Sequence, residues 1–387
     1  MNRRTFLASS GLALAASRVS QAAETVTVSG TPLRAVVIGH TGRGDYGHGL
    51  ELIFNNRPGI LCVGIADPDP AGREKAAVRI GAPRAYADYR EMLEKERPQL
   101  VSLAMRHSDQ HAEIGMDCLR AGAHLYMEKP IARFAAEADA LLAEADLRQR
   151  RIAVAHTMRM MPQMVRLRRA LNEGLIGELR ELRAWGKQDH RAGGEDMMVL
   201  GTHLFDLMRM FAGDPVSVSA QVLEKGQGVT RAQRRQVKDN VGWVAGDQVS
   251  AEFEFRGGVR GSFTSDARLR EAVGHWGVLL TGSRGAARIN CDMAPTVFVQ
   301  ATTGWSKDGR NDTWKPLDAS LTASAPEHNL GPVGDWLEGI RAGREPECSG
   351  RNAAWAVEMV MGVYASALGD ARNRFPLSDR QHPLGGS

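Results

Sequence analysis

The sequence predicts an α/β chain of two domains: a doubly wound parallel sheet, then an α/β domain with a large open, mainly antiparallel sheet. Three observations carry this. Short β-branched runs alternate with helical periodicity as far as residue 155. A glycine-rich turn, Gly39 to Gly44, stands directly behind the first run. From about residue 157 the alternation gives way to strands joined by short turns. The expected boundaries are 1–22 for an export signal, 31–155 for the first domain and 156–375 for the second.

The first residues read as an address. Arg3-Arg4 precedes Phe6-Leu7 and a mildly apolar stretch to Ala16, and Arg18 comes before Ser20-Gln21-Ala22. A basic start, a short apolar middle and a small-x-small end describe a secretory signal cleaved after Ala22. The apolar run is too short for a bilayer core, which needs about 20 residues. The arginine pair resembles a twin-arginine signal, read by the export machinery rather than acting as an anchor. A periplasmic or otherwise exported protein with no stable membrane anchor is expected.

Charge narrows the partners. Without Arg3, Arg4 and Arg18 the chain holds 46 basic and 45 acidic residues, so the mature protein is nearly neutral. No basic stripe studded with aromatics appears, which argues against nucleic acid. Cys62, Cys118, Cys291 and Cys348 lie far apart, without a Cys-x-x-Cys pair, so no metal site is expected. An oxidising compartment would permit a Cys291–Cys348 bridge.

In the first domain, Leu33–Ile38 reads as a buried parallel strand. The turn Gly39-His-Thr-Gly42-Arg-Gly44 follows, then a helical pattern through Leu50, Leu52, Ile53 and Phe54. Strand, glycine turn and helix form the context of a dinucleotide fingerprint, with the pyrophosphate on the helix N-terminus. Thr41 stands where the second glycine would be, and Arg43 is placed to reach a phosphate. The second strand, Ile60–Ala66, stops at Asp67. An acid there can bind the adenosine ribose and repel a 2′-phosphate, which favours NAD over NADP. Leu100–Ala104, Leu125–Met127 and Ile152–Ala155 are further strands, with helices over 111–121 and 134–148. Ligands gather beyond the C-terminal ends of such strands, which puts the glycine turn, Asp67, His107 and Lys129 on one rim. Lys129, in Glu128-Lys129-Pro130, is held extended by the proline. Partial burial beside a cationic ring would lower its pKa and fit it for proton exchange.

These motifs, together with the segment His107 to Gly122, resemble the Gfo/Idh/MocA family of NAD(P)-dependent oxidoreductases over nearly the whole mature chain. The resemblance implies a Rossmann domain binding NAD through Gly39, Gly42, Gly44 and Asp67, and a catalytic role for Lys129 beside the nicotinamide. Thr41, Arg43, His107 and Glu128 complete the expected cofactor side.

In the second domain, Met164–Leu175 reads as a helix and Leu179–Trp185 as a strand. Gly186–Gly194 is a polar loop, and Met197–Phe211 reads as one helix with Glu195 and Asp196 at its start. Strands are expected at Val216–Leu223, Gln248–Phe255, Val259–Thr264 and Gly277–Leu280, and a last helix at Trp355–Leu368. On the 197–211 helix, Val199, His203 and Asp206 share a face. Gly201 suggests a close approach by another group. His203 suits proton transfer near neutrality. The resemblance implies a substrate-side acid/base role for it, with an aspartate four residues earlier; here that place is Val199. Arg159, Asp189, His190 and Arg191 are candidate substrate contacts, joined by Glu195, Asp196 and Asp206. Residues 158–164 read as methionine packing, and Trp305, Trp314 and Trp336 as sugar platforms or core. The resemblance also implies a homo-oligomer, a dimer or tetramer.

The expected activity is hydride transfer from a sugar or cyclitol hydroxyl to a tightly held NAD. A redox-neutral, NAD-dependent glycoside hydrolysis through a keto-sugar is the alternative. A non-catalytic sugar-binding protein is a third reading, opposed by the retention of both Lys129 and His203.

Overall fold

Val36, Val37 and Ile38 are buried, as a strand covered on both faces requires. The computed structural model describes residues 31–270, 276–292, 294–300, 313–321 and 328–385. The 1–22 signal, Trp305 and much of the 301–328 segment lie outside them.

The first domain runs β1 (Leu33–Ile38), β2 (Ile60–Ala66), α1 (Pro70–Ile80), β3 (Ala85–Tyr86), α2 (Tyr89–Glu96), β4 (Leu100–Leu103), α3 (His111–Arg120), β5 (His124–Met127), α4 (Ala135–Leu147) and β6 (Ile152–Val154). All strands pair in parallel in the order β3-β2-β1-β4-β5-β6. The order reverses beside β1, which opens a crevice beyond the ends of β1 and β4. Local chemistry sets the α1 boundaries: the Asp69 carboxylate accepts from Gly72 N, Pro70 occupies the first turn, and Gly81 ends the helix at φ 73°.

The second domain continues with α5 (Pro162–Asn172), β7 (Leu179–Trp185), α6 (Gly194–Val199), α7 (Gly201–Ala212), β8 (Pro215–Glu224), β9 (Gln227–Gly228), β10 (Gln248–Phe255), β11 (Arg260–Asp266), β12 (Gly277–Gly282), β13 (Ala286–Asn290), β14 (Thr296–Gln300), β15 (Lys315–Pro316), α8 (Leu330–Ala342), α9 (Gly350–Gly369) and β16 (Asn373–Arg374). Its sheet is ordered β15-β14-β13-β12-β7-β11-β10-β8-β16, with β9 on β8. Among the described strands of this sheet only β7 and β11 pair in parallel. Alternation decides which face is covered: Val249, Ala251, Phe253 and Phe255 of β10 point into the core, while Ser250, Glu252 and Glu254 are exposed. Helices α7 and α9 cover the apolar face. Helix α8 returns to the first domain, where buried Trp336 packs against Phe54 and Tyr126.

Several expectations change. The helix expected behind the glycine turn is a kinked 3₁₀ segment, Gly47–Leu52, with His48 at φ 49° and Gly49 at φ 77°. Leu50, Ile53 and Phe54 are nevertheless buried: the apolar spacing reports burial, while the positive φ angles forbid a regular helix. No α-helix N-terminus therefore stands behind the turn to face a pyrophosphate. The single helix over 197–211 is two, α6 and α7, broken at Leu200. The group close to Gly201 is the Phe263 ring, 3.3 Å from where a Cβ would lie. All four cysteines are free thiols, so no Cys291–Cys348 bridge forms. Trp336 is core, and Trp314 lies under the Arg288 guanidinium.

Candidate active site

A cavity of about 260 Å³ lies where the ends of β5 and β6 meet α6 and α7. Lys129, Val199, Leu200 and His203 line it, with Thr157, Met158 and Met161 from the segment after β6. Lys187, Arg191 and Trp276 close the second-domain side, and His48, Arg106 and Asn329 the other.

Lys129 lies two residues beyond the end of β5 and is buried. Its Nζ donates to Val199 O at 3.1 Å. Burial lowers its pKa, and Glu128 opposes that shift. Glu128 is itself buried, which would raise its carboxyl; His48, hydrogen-bonded to it, and Lys129 hold it below its ordinary range. His48 O accepts from Asn329 Nδ2 at 3.0 Å, and Asn329 Oδ1 accepts from the Tyr126 hydroxyl at 2.9 Å. Beside the lysine, a polar chain thus runs from buried Glu128 through exposed His48 to Asn329 and Tyr126 in the first-domain core.

His203 lies across the cavity on α7. Its ring is 6.0 Å from Trp276 and 5.2 Å from His156, centroid to centroid. Its Nδ1 is buried without a hydrogen-bond partner among the described residues. Desolvation, reinforced by the Lys129 charge, pushes its pKa well below the ordinary histidine value. A neutral imidazole beside a lysine of lowered pKa can take a proton from a hydroxyl.

The cofactor-side residues gather at the ends of β1, β2 and β4. Gly39, Ala66, Pro68, Tyr89, Met105 and Ile114 line a small apolar hollow of about 70 Å³. Nothing lies within 4 Å above Gly42. Gly44 at φ 83° is packed against the Arg106 and His107 backbone, where a Cβ would come within 2.8 Å. Arg43 pairs with Asp109, and His107 Nδ1 lies 3.1 Å from Asn240 Nδ2. Asp67 is fully enclosed. Its carboxylate accepts from Thr41 N and Oγ1, from Asp69 N and from the Tyr46 hydroxyl at 2.8 Å. The Tyr46 ring lies over Gly39. An open turn, an apolar hollow and an acid at the end of β2 fit a dinucleotide, and Asp67 would reach a ribose once Tyr46 moves aside.

The candidate substrate contacts separate. Arg191 lines the cavity, and Asp189 accepts from it at 2.6 Å. His190 is exposed and outside the cavity. Glu195 is off the cavity wall, with burial raising its pKa. Asp196 is enclosed and accepts from Lys187 N, Gln188 N and Ser265 Oγ, so it pins the 186–194 loop. Arg159 and Asp206 form a buried pair, with Arg159 Nε 2.8 Å from both carboxylate oxygens. Sequence reasoning missed His48, Arg106, His156, Lys187 and Trp276. His156 follows the end of β6, so the strand-end rule that singled out Lys129 also covers it.

Two family models match the chain. An oxidoreductase-family NAD-binding Rossmann fold matches residues 33–156, and the C-terminal α/β domain of the same family matches 167–372. The chain belongs to the Gfo/Idh/MocA oxidoreductase family. Its first domain is an NAD-binding Rossmann domain. Among Gfo/Idh/MocA relatives, the trans-1,2-dihydrobenzene-1,2-diol dehydrogenase of Mus musculus is 29% identical over 248 residues, covering 61% of this chain and 68% of that one. For the Bos taurus enzyme the covered share of its own length is 65%. The D-apiose dehydrogenase of Paraburkholderia graminis is 23% identical, covering 80% of this chain and 81% of its own. In fold, the chain is similar to a levoglucosan dehydrogenase solved with NADH and levoglucosan, with TM-score 0.71, 20% identity, and 89% and 100% of the two chains covered.

Proposed function

We propose that the protein is an NAD-dependent oxidoreductase that removes hydride from a hydroxyl-bearing carbon of a sugar or cyclitol. One observation carries the reading: Lys129 and His203, each with a pKa lowered by burial, line the same cavity beyond the Rossmann strand ends. NAD, when bound, supplies the hydride acceptor. Lys129 donates toward the substrate oxygen, and His203 takes the hydroxyl proton as the carbonyl forms. Met158, Met161 and Trp276 offer apolar faces for the ring of a polyol. The relatives named as dehydrogenases of a dihydrodiol and of D-apiose support a hydroxyl substrate.

The Arg3-Arg4 signal supports export of the folded protein with NAD already held, because free NAD is scarce outside the cytoplasm. The test is mass spectrometry of the purified mature protein after acid release, followed by absorbance at the NADH band on adding polyols. Co-purified NAD that is reduced by a sugar or cyclitol is the expected result. An apo protein that neither binds NAD nor forms NADH with any polyol would overturn the reading. Release of an aglycone without NADH accumulation would replace it with redox-neutral glycoside hydrolysis.

A further inference from the structure

Val199 stands where the family resemblance calls for an aspartate beside His203, which leaves the orientation of His203 to another residue. His156, just beyond the end of β6, is 3% exposed. Neither of its ring nitrogens has a hydrogen-bond partner among the described residues. Both are costly to leave so in a dry interior. One nitrogen, Nδ1, lies 3.8 Å from Asp206 Oδ1, too far for a hydrogen bond and close enough to become one with a small shift. The ring also stands edge-to-face with His203, 5.2 Å between centroids and 68° between planes. The groups facing His156 are His203, Asp206, Arg159, Lys129 and Glu128. Arg159 fixes Asp206 through both carboxylate oxygens.

We propose that His156 is a positioning residue acting through His203, and that the buried series His203–His156–Asp206 replaces the aspartate absent at position 199. The inference rests on the hydride-transfer reading above. The substrate O–H bond breaks and its proton goes to His203, while the carbon's hydride and its electron pair go to NAD. His156 takes no proton: with its Nδ1–H turned to Asp206 it offers its Nε2 lone pair to the His203 Nδ1–H, which keeps His203 Nε2 free to accept. Orientation by a carboxylate behind an imidazole selects the tautomer that can accept. Burial lowers the His156 pKa, so the ring stays neutral and accepts that hydrogen bond rather than the proton.

The tautomer gives a readout independent of substrate. Imidazole ¹⁵N spectra of the ¹⁵N-labelled mature protein with NAD added should show His156 carrying its proton on Nδ1, assigned by its loss in His156→Gln. In Asp206→Asn that preference should disappear. With levoglucosan and trans-cyclohexane-1,2-diol as probes, His156→Gln should lower kcat about tenfold, leave KM within about twofold and raise the pH of the rising limb. A wild-type His156 protonated on Nε2, or a His156→Gln enzyme with unchanged kcat and pH profile, overturns the positioning role. Absence of NADH from every probe in the wild type would instead defeat the hydride-transfer reading, and the tautomer would then decide the His156 arrangement by itself.

Discussion

The Arg159–Asp206 pair makes a quantitative claim, because the sequence offered both residues as substrate contacts and the structure joins them to each other. Their side chains are 6% and 2% exposed, and Arg159 Nε sits 2.8 Å from the carboxylate. At that distance the gross attraction is about 6 kcal/mol at an effective dielectric of about 20. Desolvation of both ions offsets most of it, so the intact pair adds little net stability. Removing one partner is different. Arg159→Met leaves a buried carboxylate unpaired and should cost about 3–5 kcal/mol of folding free energy. The double variant Arg159→Met/Asp206→Leu removes both charges and should recover at least half of that loss. Guanidinium unfolding followed by tryptophan fluorescence and circular dichroism measures both. A single variant within about 0.5 kcal/mol of wild type, with polyol KM raised, would refute the reasoning and restore Arg159 as a substrate contact.

Three further outcomes follow from the same geometry. Lys129→Met should lower NADH formation at least about a hundredfold. It should also raise stability at pH 7: burial depresses the lysine pKa, so its charged form penalises the fold at every pH below that value, and the penalty fades towards 10.5. A thermal midpoint that falls would contradict this. Acid should destabilise the protein through its histidines. His124 and His382 are pushed down to about 4 by burial, and His111, His156 and His203 are lowered too. The unfolded chain then binds more protons below 6.5, so stability should fall as pH drops from 6.5 towards 4, and a flat profile over that window would count against it. Tyr46→Phe removes a donor that competes with a ribose for Asp67. One hydrogen bond to a charged acceptor is worth about 1.5–3 kcal/mol, so NAD should bind about tenfold more tightly by calorimetry. Unchanged affinity would mean that the cofactor leaves the Tyr46–Asp67 contact in place.

What the sequence disclosed and what it hid divide along physical lines. Period and composition report burial, so five of the six parallel strands were readable, from Leu33–Ile38 to Ile152–Ala155, while the two-residue edge strand Ala85–Tyr86 is too short to show a pattern. The strand-end rule then located Lys129, because in such a sheet the site's position follows from topology. Neither source reports φ. Leu50, Ile53 and Phe54 are spaced as a helix would space them, yet His48 and Gly49 turn left-handed and leave only 3₁₀ turns. Nor does either report which polar groups satisfy one another. Asp67 has the position of a ribose acid, but Thr41 within the glycine turn and Tyr46 just after it enclose its carboxylate. Asp196 has the position of a helix-start acid near substrate, but three donors bind it to its own loop and to β11. For His156 the strand-end rule gives a position but not a role. Its significance is two unpartnered nitrogens between His203 and Asp206, residues 47 and 50 positions away in the chain. A departure such as Val199 can be read from one sequence; its replacement has to be found among residues that only folding brings together.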